Sequence, residues 1–331
     1  MLDVTNKLMN TSKFNEAINH LQKFCEVFDE PDRSEVYRTI IEEIMSKQVM
    51  MSIEPYNNQV CNDLNANSSR YCQEFSEIDV LVSNSAHEWV TAVNKIDQGV
   101  YAIKKIFVKT EYQQIELFAR EAQLLSGLMH KNIIRYFTSW TEVNVSNEKN
   151  VNNAAFMDGS VGLVFYLQFE LLTRTTILDL CKDSSFEGIF DYLLQFAEGL
   201  DYIHSLGVVH GNINPSCILA GIDGMIKICD FSLSFKEDNP LDLIYPPDCM
   251  YCSPEQKTKA SVNKQTDIYS YGIIMKEILL KAHITTPNIT SFVERLTQYS
   301  PLERPRSGEL VVFLKMIKSS SKELISSNCI H

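Results

Sequence analysis

No run of the chain approaches the roughly 20 consecutive apolar residues of a membrane-spanning helix. Residues 1–10 also lack the basic start and apolar stretch of a secretory signal, so the expectation is a cytoplasmic protein with no membrane attachment. A surplus of positive charge is missing too. Lys and Arg number 30 against 42 Asp and Glu, a net charge of −12, whereas binding nucleic-acid phosphates needs a basic face. A protein partner suits this surface better. Nor is there a cysteine framework: the nine cysteines are odd in number and scattered, which argues against disulfides, and they read as free thiols. Cys249 and Cys252 alone approach metal-ligand spacing, with no second pair nearby to complete a zinc site. What is present is an ordinary globular composition, 45% hydrophobic and 22% charged over 331 residues. That is enough for two packed lobes and a small further module.

Helical spacing opens the chain. Phe14, Ile18, Leu21, Cys25 and Phe28 share one face, and Val36, Tyr37, Ile40, Ile41, Ile44 and Met45 another, the second preceded by Asp32 and Glu35 at capping-box spacing. These stripes read as a helical module over residues 1–54 that packs its own core, a partner groove being the alternative. Residues 55–74 are Asn-rich in part and read as a linker. Strand-like runs follow at 78–82, 89–93 and 100–106, then a helix at 116–128 and a strongly apolar strand at 163–172. Helical periodicity dominates 173–320, notably at 189–205 and 266–280, around a loop segment at 210–255, and a tail occupies 321–331. A sheet lobe over 75–172 followed by a helical lobe makes the class α+β.

Short motifs punctuate this frame in a fixed order. Val100-Tyr101-Ala102-Ile103-Lys104 lies on a strand, Arg120-Glu121 on the next helix, Tyr202-Ile203-His204-Ser205 and Val208-Val209-His210 before a loop. Asp230-Phe231-Ser232 and Ser253-Pro254-Glu255 come later, then Asp267, Gly272 and Arg304. This set resembles the V-A-I-K, catalytic-loop, D-F-G and A-P-E motifs of protein kinases, across about residues 75–318. The resemblance implies a two-lobed kinase fold in which Lys104 pairs with Glu121, Asp230 faces a metal ion, and Glu255, Asp267 and Arg304 hold the scaffold. Asn132-Ile133-Ile134-Arg135-Tyr136-Phe137-Thr138-Ser139-Trp140, with Glu142, looks narrower still. It is similar to the kinases of the translation initiation factor 2 alpha subunit, and Ser68-Ser69-Arg70-Tyr71, Phe75, Asn94-Lys95-Ile96-Asp97 and the helical N-terminus look most like their haem-regulated member. Haem itself is disfavoured, since no Cys-Pro dipeptide occurs and His20 stands alone on a helix.

Against that pattern, the groups that transfer phosphate are replaced. Asn212 stands where an aspartate accepts the substrate proton, and a neutral amide cannot serve as that base. Asn214 removes a positive charge, and Cys217 puts a soft thiol where magnesium needs oxygen. The three glycines of the phosphate-covering loop fall on Val82, Asn84 and His87, and its valine on Trp89. Every Cβ there obstructs backbone approach to phosphates. Trp89 is expected to fill the adenine space, the alternative being that it packs elsewhere and ATP still enters. Gly211 lacks the arginine that grips a loop phosphate, and residues 272–304 are shorter than in the family, over the helix on which these kinases dock substrate. Lys104, Glu121 and Asp230 remain. They read either as a residual nucleotide site or, for Lys104 and Glu121, as a pair bracing helix against sheet in a solvated cleft.

The sequence therefore reads as a non-catalytic kinase-fold regulator that binds a protein, such as an active kinase of the same group or a second copy of itself, with no cofactor. The alternative is a divergent ATP- and Mg-dependent Ser/Thr kinase of low turnover.

Overall fold

The computed structural model describes residues 69–83, 87–109, 112–145, 161–240, 245, 249–258 and 262–328. The helical module read over 1–54, residues 55–68 of the linker, and Asn84 lie outside the described residues. From Arg70 onward the chain is one compact unit.

Its first half is an antiparallel sheet of β1 (Phe75–Ser83), β2 (His87–Asn94), β3 (Val100–Lys109), β4 (Tyr136–Val145) and β5 (Val161–Glu170), in spatial order β1-β2-β3-β5-β4. The β2–β3 turn follows from its side chains. Asn94 Oδ1 accepts the N–H groups of Ile96 and Asp97 at 2.8 and 3.3 Å, and Asp97 Oδ1 accepts that of Gly99 at 2.7 Å, the Asx-turn chemistry of short polar residues. Period-two alternation then gives the sheet two buried faces. Ala102, Ile106, Leu167 and Phe169 join the main core, whereas Val90, Ile103, Val164 and Tyr166 face an outer cluster.

The outer cluster explains α1 (Arg70–Glu74), a helix inside the segment read as linker. Tyr71 stacks on Tyr166 at 4.9 Å, Trp140 on Tyr166 at 5.0 Å and Phe75 on Trp140 at 5.8 Å, with the Arg70 guanidinium 4.5 Å from the Trp140 ring. Each such ring pair adds about 0.5–1.5 kcal/mol beyond area burial, so packing holds a helix too short to persist alone. Strand β4 was likewise missed, its Thr- and Ser-rich stretch having no apolar alternation.

Helix α2 (Tyr112–Ser126) follows β3 and packs on β3 and β4, while β6 (Leu172–Thr176) leads on from the sheet to the helical lobe. The helical lobe is built on α3 (Ile177–Lys182), α4 (Phe186–Ser205), α5 (Pro254–Lys257), α6 (Lys264–Lys281), α7 (Pro287–Leu296) and α8 (Ser307–Asn328). The 210–255 stretch read as loop contains short strands β8 (Ile218–Gly221) and β9 (Ile226–Ile228), while β7 (Val208–Val209) pairs with β10 (Phe235–Lys236). Helix α4 is capped by Ser185 and buries Ile189, Leu193, Phe196, Leu200 and Ile203, the expected helical stripe. Helix α6 is the hub, burying side chains on nearly every side from Thr266 to Leu279. Its Gly272 is obligatory, because a Cβ there would come within 2.7 Å of Leu296 Cβ on α7. Among the described residues no helix is long and apolar enough to cross a membrane.

One sequence expectation fails here: Cys249 and Cys252 are not free thiols but form a disulfide, their Cα atoms 5.4 Å apart. The turn through Met250 and Tyr251 brings two cysteines three positions apart to bonding distance. Cys72, Cys181, Cys217 and Cys229 remain thiols.

Candidate functional site

The cleft between the lobes collects the residues that sequence spacing scattered. Lys104 sits in the middle of β3, opposite Trp89 of β2 and Leu167 of β5, and alternation points it to the cleft side with Ala102 and Ile106. Its Nζ lies 2.7 Å from Glu121 Oε2 of α2, with side chains only 5% and 4% exposed. The pair is thus buried rather than solvated as expected, since Trp89, β5 and α2 enclose it. Asp230 Oδ1 stands 3.9 Å from the same Nζ and is 38% exposed.

These charges bias one another. Burial pushes the Glu121 carboxyl above its ordinary value, and Lys104 offsets that only in part. Burial acts on Asp230 in the same direction, but there Lys104, the Ser232 hydroxyl and His210 outweigh it and hold the carboxyl below its ordinary value. Asp230 adopts φ 62, a left-handed conformation that strains a non-glycine residue. Ser232 Oγ donates to its Oδ1 at 2.7 Å. His87, at the cleft edge, is pushed down by burial and by Lys104.

Trp89 does not fill the cleft. Its ring packs 5.3 Å from Phe169 and 5.3 Å from Lys104 Nζ, forming one wall of a cavity of about 630 Å³ that Val82, Ala102, Leu172, Leu219 and Asp230 also line. This tilted packing on Phe169 draws the indole against β5 and leaves the space open. The cavity is mostly apolar and of a size that suits a flat ring. At its phosphate end Val82 and His87 bring side chains where backbone alone would fit a triphosphate.

The loop after β7 is anchored by α6. Asp267 accepts the backbone N–H groups of His210 and Gly211 at 2.8 and 2.9 Å, and His204 Nε2 lies 3.0 Å from the same carboxylate. Gly211 takes φ +76, where a Cβ would lie 3.1 Å from the Leu233 carbonyl. Its own carbonyl accepts from Gln256 Nε2 at 2.8 Å. Sequence reading found Asp267 as scaffold but not the reach of Gln256, because a side chain bonding a distant carbonyl leaves no local pattern.

Within this held loop the polar groups turn on themselves. Asn214 Nδ2 donates to the Asn212 carbonyl at 2.9 Å and lies 3.2 Å from Cys217 Sγ, while its Oδ1 accepts the Ser216 N–H at 3.0 Å. Asn214 thereby caps the short 3-10 turn Pro215–Cys217. The Cys217 thiol is buried, and burial with the nearby Asp230 charge pushes it up to about 12, so it stays protonated at neutral pH and is a poor ligand for a hard cation. Asp230 is left as the one carboxylate of this loop pair that suits Mg, so the residues described here do not fit a magnesium-bound triphosphate, although they leave room for its base.

Further down, Glu255 and Arg304 form a two-pronged ion pair at 2.6 and 2.9 Å, buried to 6% and 0% side-chain exposure. Thr266 Oγ1 donates to Glu255 at 3.0 Å, and Arg304 also reaches the carbonyls of Gln265, Gln298 and Tyr299. Burial pushes Glu255 up, but Arg304 more than cancels this and leaves its carboxyl below the ordinary value.

Comparison with known proteins agrees with this arrangement. The family model for the protein kinase domain matches residues 86–330. The interferon-induced, double-stranded RNA-activated protein kinase of Rattus norvegicus is 26% identical over 292 residues, covering 78% of this chain and 55% of that protein. The eIF-2-alpha kinase GCN2 of Arabidopsis thaliana is 26% identical over 309 residues, covering 74% of this chain and 25% of that protein. The GCN2 of Schizosaccharomyces pombe is 21% identical over 365 residues. The chain thus spans about half the length of the first relative and a quarter of the second. With the matched span running through both lobes and the cleft between them, the chain belongs to the protein kinase domain family, and it is related to the eIF2-alpha kinases.

Proposed function

We propose that this kinase domain is a pseudokinase, a non-catalytic regulator within the eIF2-alpha kinase group that acts in the cytoplasm by binding a protein. Its partner is an active kinase of that group or a second copy of this chain, and it works without ATP, Mg or another cofactor in translational control under stress. One observation carries the reading: Asn212, Asn214 and Cys217 occupy the catalytic loop and bond to one another. No carboxylate stands at the position of the base, which alone removes on the order of 10²–10⁴ in rate. The preserved backbone anchors around Asp267 and Arg304 support a scaffold whose surface is the working part. Purified protein incubated with radiolabelled ATP, a generic substrate and initiation factor 2 alpha should transfer no label. A turnover above about 0.1 per second, near the low end for kinases, overturns the reading.

A second reading is favoured by the Lys104–Glu121–Asp230 cluster beside an open cavity of about 630 Å³, namely a divergent Ser/Thr kinase of low turnover. Trace activity that disappears in both Lys104→Ala and Asp230→Asn would establish it.

A further inference from the structure

The Cys249–Cys252 disulfide lies immediately before Ser253, which caps α5, in the segment that leans on the catalytic loop. A cross-link between cysteines three positions apart restrains the unfolded chain little, so stabilisation of the fold is a poor reason for it. The other described cysteines are thiols. Burial pushes Cys181 and Cys217 up to about 12 and Cys229 well above its ordinary value, which makes those three inert to exchange. The bonded pair differs. Cys249 is half-buried beside an exposed Met250, whereas Cys252 is buried, so Cys249 is the more open of the two to an incoming thiol.

The turn that the bond closes is also connected. Tyr251 hydroxyl donates to Glu277 Oε2 at 2.9 Å and its carbonyl accepts from Ser270 Oγ at 2.7 Å, both on α6. One residue beyond Cys252, the Ser253 N–H donates to Gln256 Oε1 at 2.8 Å, and Gln256 Nε2 donates to the Gly211 carbonyl of the catalytic loop. The bond therefore sits in a short path of hydrogen bonds between α6 and the residue before Asn212.

We propose that Cys249 and Cys252 form a reversible dithiol–disulfide switch, exchanging with glutathione-class thiols or a dithiol oxidoreductase, that sets how firmly the 250–257 turn is held. In the reducing direction a thiolate attacks Cys249 Sγ, the S–S bond breaks, and Cys252 leaves as a thiolate that takes a proton. A second thiol of the reductant then attacks the mixed disulfide, freeing Cys249, which is protonated, and departing within the reductant's own disulfide. Two electrons and two protons pass to the pair, and oxidation by a disulfide of the same class is the reverse. The Glu255–Arg304 anchor contains no sulfur and holds in both states, so the switch loosens the turn without unfolding the lobe. It operates whether or not the chain transfers phosphate.

The test uses the full chain, equilibrated natively across ratios of reduced to oxidised glutathione, quenched with acid, alkylated, and read by mass on the peptide containing both cysteines. The expected result is a two-electron titration in which dithiol and intramolecular disulfide interconvert and neither thiol accumulates as a stable glutathione adduct. In parallel, hydrogen exchange over 250–257 should quicken several-fold on reduction, while exchange in α6 stays as it was. A Cys249→Ser, Cys252→Ser double variant should exchange at the reduced rate in both buffers. A pair that stays fully thiol at every ratio overturns the proposal, as does a bond that resists both glutathione and a dithiol reductant in the native protein. Equal exchange over 250–257 in the two states also overturns it, since the bond would then move nothing.

Discussion

Each lobe buries a glutamate against a cation, and the two pairs are built differently. Arg304 offers its fork to both oxygens of Glu255 and its remaining N–H groups to three carbonyls, with the Tyr269 ring 4.9 Å away. Lys104 meets Glu121 at 2.7 Å, has Asp230 at 3.9 Å and the Trp89 ring at 5.3 Å, and opens on a cavity. The first site is closed: its planar guanidinium has its donors matched, and the geometry leaves a ligand nothing to bind. The second has two carboxylates around one ammonium, one of them partly exposed. Opposite proton preferences follow, with Glu255 held below its ordinary value and Glu121 above. Burial by itself therefore says little about how a charged pair behaves; the number and geometry of the donors around it decide.

The largest expected effect is from Arg304→Ala, which strands a buried carboxylate at a cost of roughly 3–5 kcal/mol. At about 2–4 °C per kcal/mol for a unit of this size, calorimetry should show a melting temperature lower by on the order of 10 °C. Lys104→Ala should lose less, because Glu121 already leans towards its protonated form and can neutralise itself. A Lys104→Ala loss equal to that of Arg304→Ala would break the comparison.

Titration separates the pairs next. Glu255 has a depressed folded pKa, so its contribution is present above the unfolded carboxylate pKa and is lost as pH falls through the folded value. Glu121 has a raised folded pKa, so its contribution is full below the unfolded value and is lost as pH rises through the folded one. Stability measured by urea unfolding across the acid range should thus lose part of its acid-side fall in Glu255→Gln and part of its decline with rising pH in Glu121→Gln. Parallel profiles for the two variants would mean that the environments do not differ.

Nucleotide gives a smaller effect. A site with a dissociation constant of about 10 μM would add about 2.7 kcal/mol at a hundredfold excess of ligand, and no such shift is expected with ATP and magnesium. Because Trp89 already leaves about 630 Å³ of the cleft open, Trp89→Val should not change that result. A clear shift in the parent protein moves the weight to the divergent-kinase reading. The smallest change is expected from Asn212→Asp, which restores a base but not the charge at Asn214 or the metal ligand at Cys217. Label transfer should stay at background, because these losses act on one transition state and are not independent.

Much of this was legible beforehand. The order and spacing of Lys104, Glu121, Asp230, Glu255, Asp267 and Arg304 located the cleft and the scaffold, since each belongs to a motif with a local pattern. What escaped had no such pattern. Helix α1 is held by Tyr166 and Trp140, residues far along the chain. Strand β4 pairs through its backbone with little help from side-chain alternation. The Cys249–Cys252 bond escaped as well, because an odd number of scattered cysteines argues against disulfides and only the turn through Met250 and Tyr251 brings these two together.

Residue identity alone determined what each position can offer chemically: an amide cannot take the proton that a carboxylate takes, a thiol binds magnesium poorly, and side chains at positions 82 and 87 occupy space that glycine leaves empty. Tertiary structure alone decided where the remaining groups stand and what they face. It buried Lys104 with Glu121, packed Trp89 against Phe169 so that about 630 Å³ of cleft stays open, and turned Asn214 back onto its own loop. The reason is that intrinsic chemistry belongs to single side chains, whereas burial, partner geometry and free volume belong to residues brought together from distant parts of the chain.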